Sequence, residues 1–276
     1  MATVNEKMTA IADKIREYSG ETRKINLDEM VSGIQSCADN SRYAGYLEGN
    51  EQGKDIGKQE MHETFWNCLT NYGNSLATES WDYRFGSCNF SYIGGFNPPS
   101  RITIKSGTQM FRGSTNIGSL TNDKVNLTKM RACSYMFYST SGPLEIEEIN
   151  ISGCNSLDYT FGAYGLTRIG KLTLKDTGTQ TFPNTFINTR ALTEIGEIVG
   201  KIGRTVSFSS SPFTPDTMKN IINALMDYST TNTLVYTVTF KADCWTALEA
   251  ESTPKDEGID FEGTWREYVI SKGWNV

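Results

Sequence analysis

"RITIKSGTQMF" (residues 101–111), "KVNLTKMRACSYMF" (124–137), "EINISGCNSLDYTF" (148–161) and "KLTLKDTGTQTFPNTF" (171–186) set the architecture, because they are four copies of one unit. Each copy carries an apolar, small polar, apolar triplet, at 102–104, 125–127, 149–151 and 172–174, so the triplets recur at spacings of 23, 24 and 23. Such alternation is the pattern of a short half-buried strand. Each copy closes on a phenylalanine: Phe111, Phe137, Phe161 and Phe186. A third mark, Ile146, Ile169 and Ile195, stands three residues ahead of the later strands, and "IVG" at 198–200 is a weakened fifth copy. Independent marks sharing one period, with one strand per repeat, predict a solenoid whose strands stack in parallel and whose phenylalanines plug the core. Thr103, Asn126, Asn150 and Thr173, the middle residues of the triplets, are then expected in a row on one exposed sheet face. Taken singly, each reads as a small polar residue that solvates the sheet.

The period is that of a leucine-rich-repeat-like solenoid, although no copy holds the full L-x-x-L-x-L-x-x-N pattern. "SYMF" and "DYTF" followed by "LTRIGKLTL" and "LTEIGEI" resemble BspA-like leucine-rich repeats over about residues 101–210. In "FTPDTMKNIINALMDYS", Thr214 or Asp216 is placed to start a helix with Met218, Ile221, Ile222 and Leu225 facing inward, and "LVYTVTF" reads as a strand. That tail is similar to the end of the same family, which implies a cap of one helix, one more strand and two short helices.

Upstream the pattern is helical. Met8, Ile11, Ala12 and Ile15 follow amphipathic spacing up to Gly20, and Asn26 with Glu29 forms a capping box ahead of Met30, Val31 and Ile34. Helices this short are marginal alone and need a docking partner. Gly45, Gly49, Gly53 and Gly57 recur at every fourth position, and each costs about 1 kcal/mol in a helix interior. Two readings fit: a ridge of glycines that lets a second helix approach closely, or a flexible linker. The apolar Tyr43, Tyr46, Leu47 and Ile56 favour the helix contact, and Met61, Phe65, Trp66 and Leu69 resume a helical face beyond it. The first 70 or so residues resemble the head of prophage tail and baseplate appendage proteins.

The expected fold is therefore α+β. A helical anchor and oligomerisation segment (1–73) leads to an N-terminal solenoid cap (74–100), BspA-like repeats (101–210) and a mixed α/β C-terminal cap (211–276). With 38% hydrophobic and 21% charged residues the chain is of ordinary globular composition. A net charge of -6 argues against nucleic acid as a partner, and no apolar run has the length of a signal peptide or a membrane span. Synthesis in a reducing cytoplasm with no membrane insertion follows as an expectation.

Residues that carry chemistry are few. His62 is the single histidine, in a helical stretch with acidic neighbours, and reads as solvated. Glu145, Glu147 and Glu148 precede a strand whose other copies hold Arg168, Lys171, Glu194 and Glu197, and read as a solvated turn rather than a glycosidase pair. The six cysteines, at 37, 68, 88, 133, 154 and 244, have no metal or redox spacing and read as small buried hydrophobes. No catalytic residue, metal site or cofactor is expected. Tyr135, Tyr138, Tyr159 and Tyr164 flank the phenylalanines and change from copy to copy, with Gln109 and Asn184 matching Tyr135 and Tyr159. A core position would stay apolar, so these four are the candidate receptor-binding residues.

The resemblances together imply a virion appendage, on tail, baseplate or fibre. It would be a homo-oligomer, with a trimer favoured, that contacts other virion proteins through its N-terminal helices and a host surface glycan or protein through its repeats. A BspA-like surface adhesin and a purely structural head or tail decoration protein are the alternatives.

Overall fold

The computed structural model describes residues 80–91, 94–98, 101–230 and 236–276. The anchor expected over 1–73, with Gly45, Gly49, Gly53, Gly57 and His62, lies outside the described residues.

The chain winds into a solenoid of parallel strands. In order these are β1 (Ile102–Thr103), β2 (Gly118–Leu120), β3 (Val125–Asn126), β4 (Leu144–Asn150), β5 (Leu166–Thr173) and β6 (Glu194–Val199). Strand β1 pairs with β3, and β2, β4, β5 and β6 form one sheet in that order. The register runs Ile102 to Val125, then Ile149 to Leu172 to Ile198, so the triplets stack on one another. A second row runs Leu120, Ile146, Ile169, Ile195, which is the third mark of the sequence.

The two rows are three residues apart although strand side chains alternate every two. Ile146 and Ile149 are both buried because the strand turns a corner between them. Backbones crowd at that corner: a Cβ on Gly170 would lie 2.5 Å from the Glu147 carbonyl oxygen, and one on Gly196 2.6 Å from that of Gly170. In the preceding coil the same corner opens into the loop 121–124, which separates β2 from β3. Glu145, Glu147 and Glu148 lie within β4 and not in a turn. Leu144, Ile146 and Ile149 anchor that stretch to the core, and Glu145 and Glu148 sit in register with Arg168 and Lys171 of β5. The next step of this outward ladder is ionic, Arg168 to Glu194 at 2.8 Å and Lys171 to Glu197 at 3.0 Å.

Adjacent strands of a sheet lie about 4.8 Å apart, so side chains repeated in every coil are forced face to face. Phe85, Phe111, Phe137, Phe161, Phe186, Phe208 and Phe240 form a single column of buried rings, with successive centroids 5.7, 5.6, 6.2, 5.3, 4.7 and 5.5 Å apart. The column begins upstream of residue 101. "DYRF" at 82–85 is a further copy of the phenylalanine turn, and Trp81, Phe90 and Phe96 are buried around it.

The turn that delivers each phenylalanine splits its amides into two sets. In the 133–140 segment, Met136, Tyr138 and Thr140 bond back to the carbonyls of Cys133, Tyr135 and Phe137. Tyr135, Phe137 and Ser139 instead donate to Asp158, Thr160 and Gly162 of the next coil, at 2.9, 3.0 and 2.7 Å. The middle residues of the triplets also act locally, for Asn126 Oδ1 accepts from the Thr128 amide at 3.0 Å and Asn150 Oδ1 from the Ser152 amide at 3.0 Å. These asparagines close the turn after each strand, as Asx-turns do.

The far end is covered by β7 (Val206–Phe208), α1 (Pro215–Ala224), β8 (Tyr236–Phe240), α2 (Ala242–Glu251), α3 (Trp265–Ser271) and β9 (Trp274–Asn275). Thr214 caps α1 by accepting from the Thr217 amide, and Met218, Ile221, Ile222 and Leu225 are buried. Thr264 and Glu267 form a reciprocal capping box on α3. Strand β8 pairs with β7 on one side and β9 on the other, which carries Phe240 onto the end of the phenylalanine column.

Candidate recognition surface

The phenylalanine turns also generate the candidate site. Two residues before each phenylalanine the backbone is left-handed, with φ of 60° at Tyr83, 56° at Gln109, 59° at Tyr135, 52° at Tyr159 and 52° at Asn184. This conformation frees the amide to reach the next coil, and it aims the side chain away from the core that the phenylalanine enters. Four residues further on, a second left-handed position is filled by Ser87, Gly113, Ser139 and Asn188, all small. The first position is filled by tyrosine in three coils.

Stacked coils bring three of the four candidate tyrosines together. The rings of Tyr135 and Tyr159 lie parallel at 4.7 Å, and Tyr138 meets both edge-on, at 5.6 and 5.0 Å. Tyr164 is exposed, and among the described residues no ring contact joins it to the other three. The exposed Arg112 completes the patch: its guanidinium lies 5.6 Å from the Tyr135 ring centre and 5.7 Å from that of Tyr138, and it donates to Gln109 Oε1 at 2.8 Å. Tyr135 thus has Tyr159 on one face and Arg112 close by. Partial burial, followed by the nearby charge of Asp158, raises its phenol pKa, so the hydroxyl stays a neutral donor and acceptor at physiological pH.

Tyr83 and Arg112 escaped the sequence reading. For Tyr83 the signal was present, since "DYRF" at 82–85 parallels "DYTF" at 158–161. Arg112 follows Phe111 just as Tyr138 follows Phe137, but an isolated arginine carries no periodic mark.

The remaining polar features are separate from this row. A shallow cleft between β6 and α1, lined by Glu197, Lys201, Asn220 and Asn223, mixes both charges. In the C-terminal cap Lys272 is buried, donating to the Ile222 carbonyl at 3.0 Å, and desolvation lowers its pKa to about 8. Among the described residues there is no group of three or more His, Cys, Asp or Glu able to hold a metal ion, and no helix long and apolar enough to cross a membrane. No family model, no curated protein and no solved structure matches the chain.

Proposed function

We propose that this chain is a recognition protein without catalytic activity, a bacteriophage tail, baseplate or fibre appendage whose BspA-like repeats meet the host cell surface through the tyrosine row. The observation that carries the proposal is the left-handed backbone of Tyr83, Tyr135 and Tyr159. That conformation costs an L-residue roughly 1–2 kcal/mol, a penalty that glycine escapes and asparagine reduces. Strain held by large aromatic groups on a surface is the pattern of a binding site, and tyrosine and arginine dominate binding hot spots. The resemblance of the first 70 residues to prophage appendage proteins supports the placement in a virion. There the N-terminal helices would hold a homo-oligomer, trimeric by analogy, against other virion proteins.

Two measurements test this reading. Mass spectrometry of purified virions is expected to find the chain in the particle; finding it only in cell envelopes would make it an adhesin. Adsorption of the labelled full chain to a panel of bacterial cells is expected to saturate. The double variant Tyr135→Asn/Tyr159→Asn, which suits the left-handed backbone, should weaken adsorption about tenfold or more, as loss of hot-spot contacts does. Adsorption equal to wild type would remove the tyrosines from the function.

A further inference from the structure

Four of the six cysteines lie among the described residues and all four are buried, but two of them meet. Cys133 opens a phenylalanine turn and Cys154 follows β4 on the next coil. Their sulfurs are 3.1 Å apart, with the Cys133 thiol donating to Cys154. Thr160 Oγ1 sits 3.7 Å from Cys133 Sγ. By contrast, the Cys88 and Cys244 thiols point at the carbonyl oxygens of Gly86 and Ser211.

We infer that Cys133 and Cys154 are a redox pair which a small peroxide closes into a disulfide joining two adjacent coils. A disulfide holds its sulfurs about 2.05 Å apart. The sulfurs therefore have to close by roughly 1 Å, within reach of small side-chain rotations while the ladder of backbone hydrogen bonds stays in place. The order of attack follows from the geometry. The thiol of Cys133 stabilises a thiolate on Cys154, whose pKa is lowered by that hydrogen bond and further by the charge of Lys175, while Cys133 is raised by the same contact and by burial. The Cys154 thiolate attacks a peroxide oxygen and the O–O bond breaks, giving a sulfenic acid and hydroxide. The Cys133 sulfur then attacks the sulfenic sulfur, the S–S bond forms, and the sulfenic oxygen leaves with the thiol proton as water. Two thiols lose two electrons and one peroxide gains them. Both cysteines are buried, each 1% exposed, so the oxidant has to be small enough to enter during local opening. Such a staple would be absent in a reducing cytoplasm and present after release into an oxidising medium.

The test is oxidation of the folded full chain with hydrogen peroxide, alkylation of remaining thiols after denaturation, and peptide mapping without reductant. The expected result is a linked pair of peptides containing Cys133 and Cys154, lighter by two hydrogens than the two free peptides and lost on treatment with dithiothreitol. The oxidised protein should also melt several degrees higher than the reduced one, and this rise should vanish in Cys154→Ser and in Cys133→Ser. Recovery of both cysteines fully alkylated, a sulfinic acid on Cys154 with no linked peptide, or a link that forms only in chain oxidised while denatured would each overturn the inference. None of these outcomes depends on what the tyrosine row binds.

Discussion

Truncating Phe137 to alanine removes a ring from the middle of the phenylalanine column. The side chain is 0% exposed and lies between Phe111 at 5.6 Å and Phe161 at 6.2 Å, nearly parallel to both. Phe→Ala in a core costs about 3–5 kcal/mol, the larger values where the surroundings cannot collapse into the cavity. Collapse is restricted here, because the Phe137 amide and its neighbours are tied to the next coil by hydrogen bonds of 2.7 to 3.0 Å. A loss of about 4–5 kcal/mol is therefore expected, which lowers Tm by roughly 8–20 °C for a domain of this size. Urea unfolding followed by circular dichroism should show the midpoint falling with little change in slope. A double-mutant cycle separates the column from simple burial. Phe137→Ala with Phe161→Ala should show a coupling of about 0.5–1.5 kcal/mol, because those rings touch. Phe137→Ala with Phe208→Ala, two rings further away, should be additive within about 0.5 kcal/mol. A single-variant loss below about 1 kcal/mol, or equal coupling in the two cycles, would refute the stacked column.

Thr140 Oγ1 is buried with no hydrogen-bond partner among the described residues, whereas Thr189 Oγ1 donates to the Phe186 carbonyl at 2.6 Å. Thr140→Val is expected to stabilise by about 1 kcal/mol and Thr189→Val to destabilise by a similar amount, read from chemical denaturation. A fragment of residues 80–276 should fold cooperatively, while one beginning at 101 lacks Trp81, Phe85, Phe90 and Phe96, exposes Phe111 and should melt lower or fail to fold. Lys272 is charged in both states below pH 8, so the cost of its burial is then fully present. Between about pH 8 and 10.5 the folded chain gives up a proton that the unfolded chain keeps, so this group makes stability rise with pH. Its surroundings are Lys201, which opposes the charge, Asp227, which supports it, and the Tyr268 ring at 5.5 Å. Thermal melts of wild type and Lys272→Met from pH 8 to about 9.5 should show the wild type gaining stability relative to the variant as pH rises. The raised thiols of Cys133 and Cys244 act in the opposite sense in this window, and the raised phenols of Tyr228 and Tyr268 above it, but in both proteins, so they cancel in the difference.

Periodicity alone was enough to read the solenoid, the stacked triplets and four of the seven phenylalanines of the column, because a parallel stack places the same backbone geometry at every period and any side chain that must be apolar recurs there. Strand β2 and the extension of β4 through Glu145, Glu147 and Glu148 were not read. The start of α1 was legible to Thr214 or Asp216 because the signal is local, a capping side chain ahead of an amphipathic face, and the structure assigns the cap to Thr214. Whatever depends on distance between coils was legible only in the folded chain. Ile146 and Ile149 show the spacing of three in the sequence, but only the close passage of Glu147, Gly170 and Gly196 explains it as a corner. The tyrosines were visible as variable polar aromatics, yet the left-handed backbone that holds them and the arrival of Arg112 beside them arise from amides committed to the neighbouring coil. Cys133 and Cys154, 21 residues apart, belong to no spacing motif, and their contact exists only because one turn of the solenoid brings the chain back beside itself.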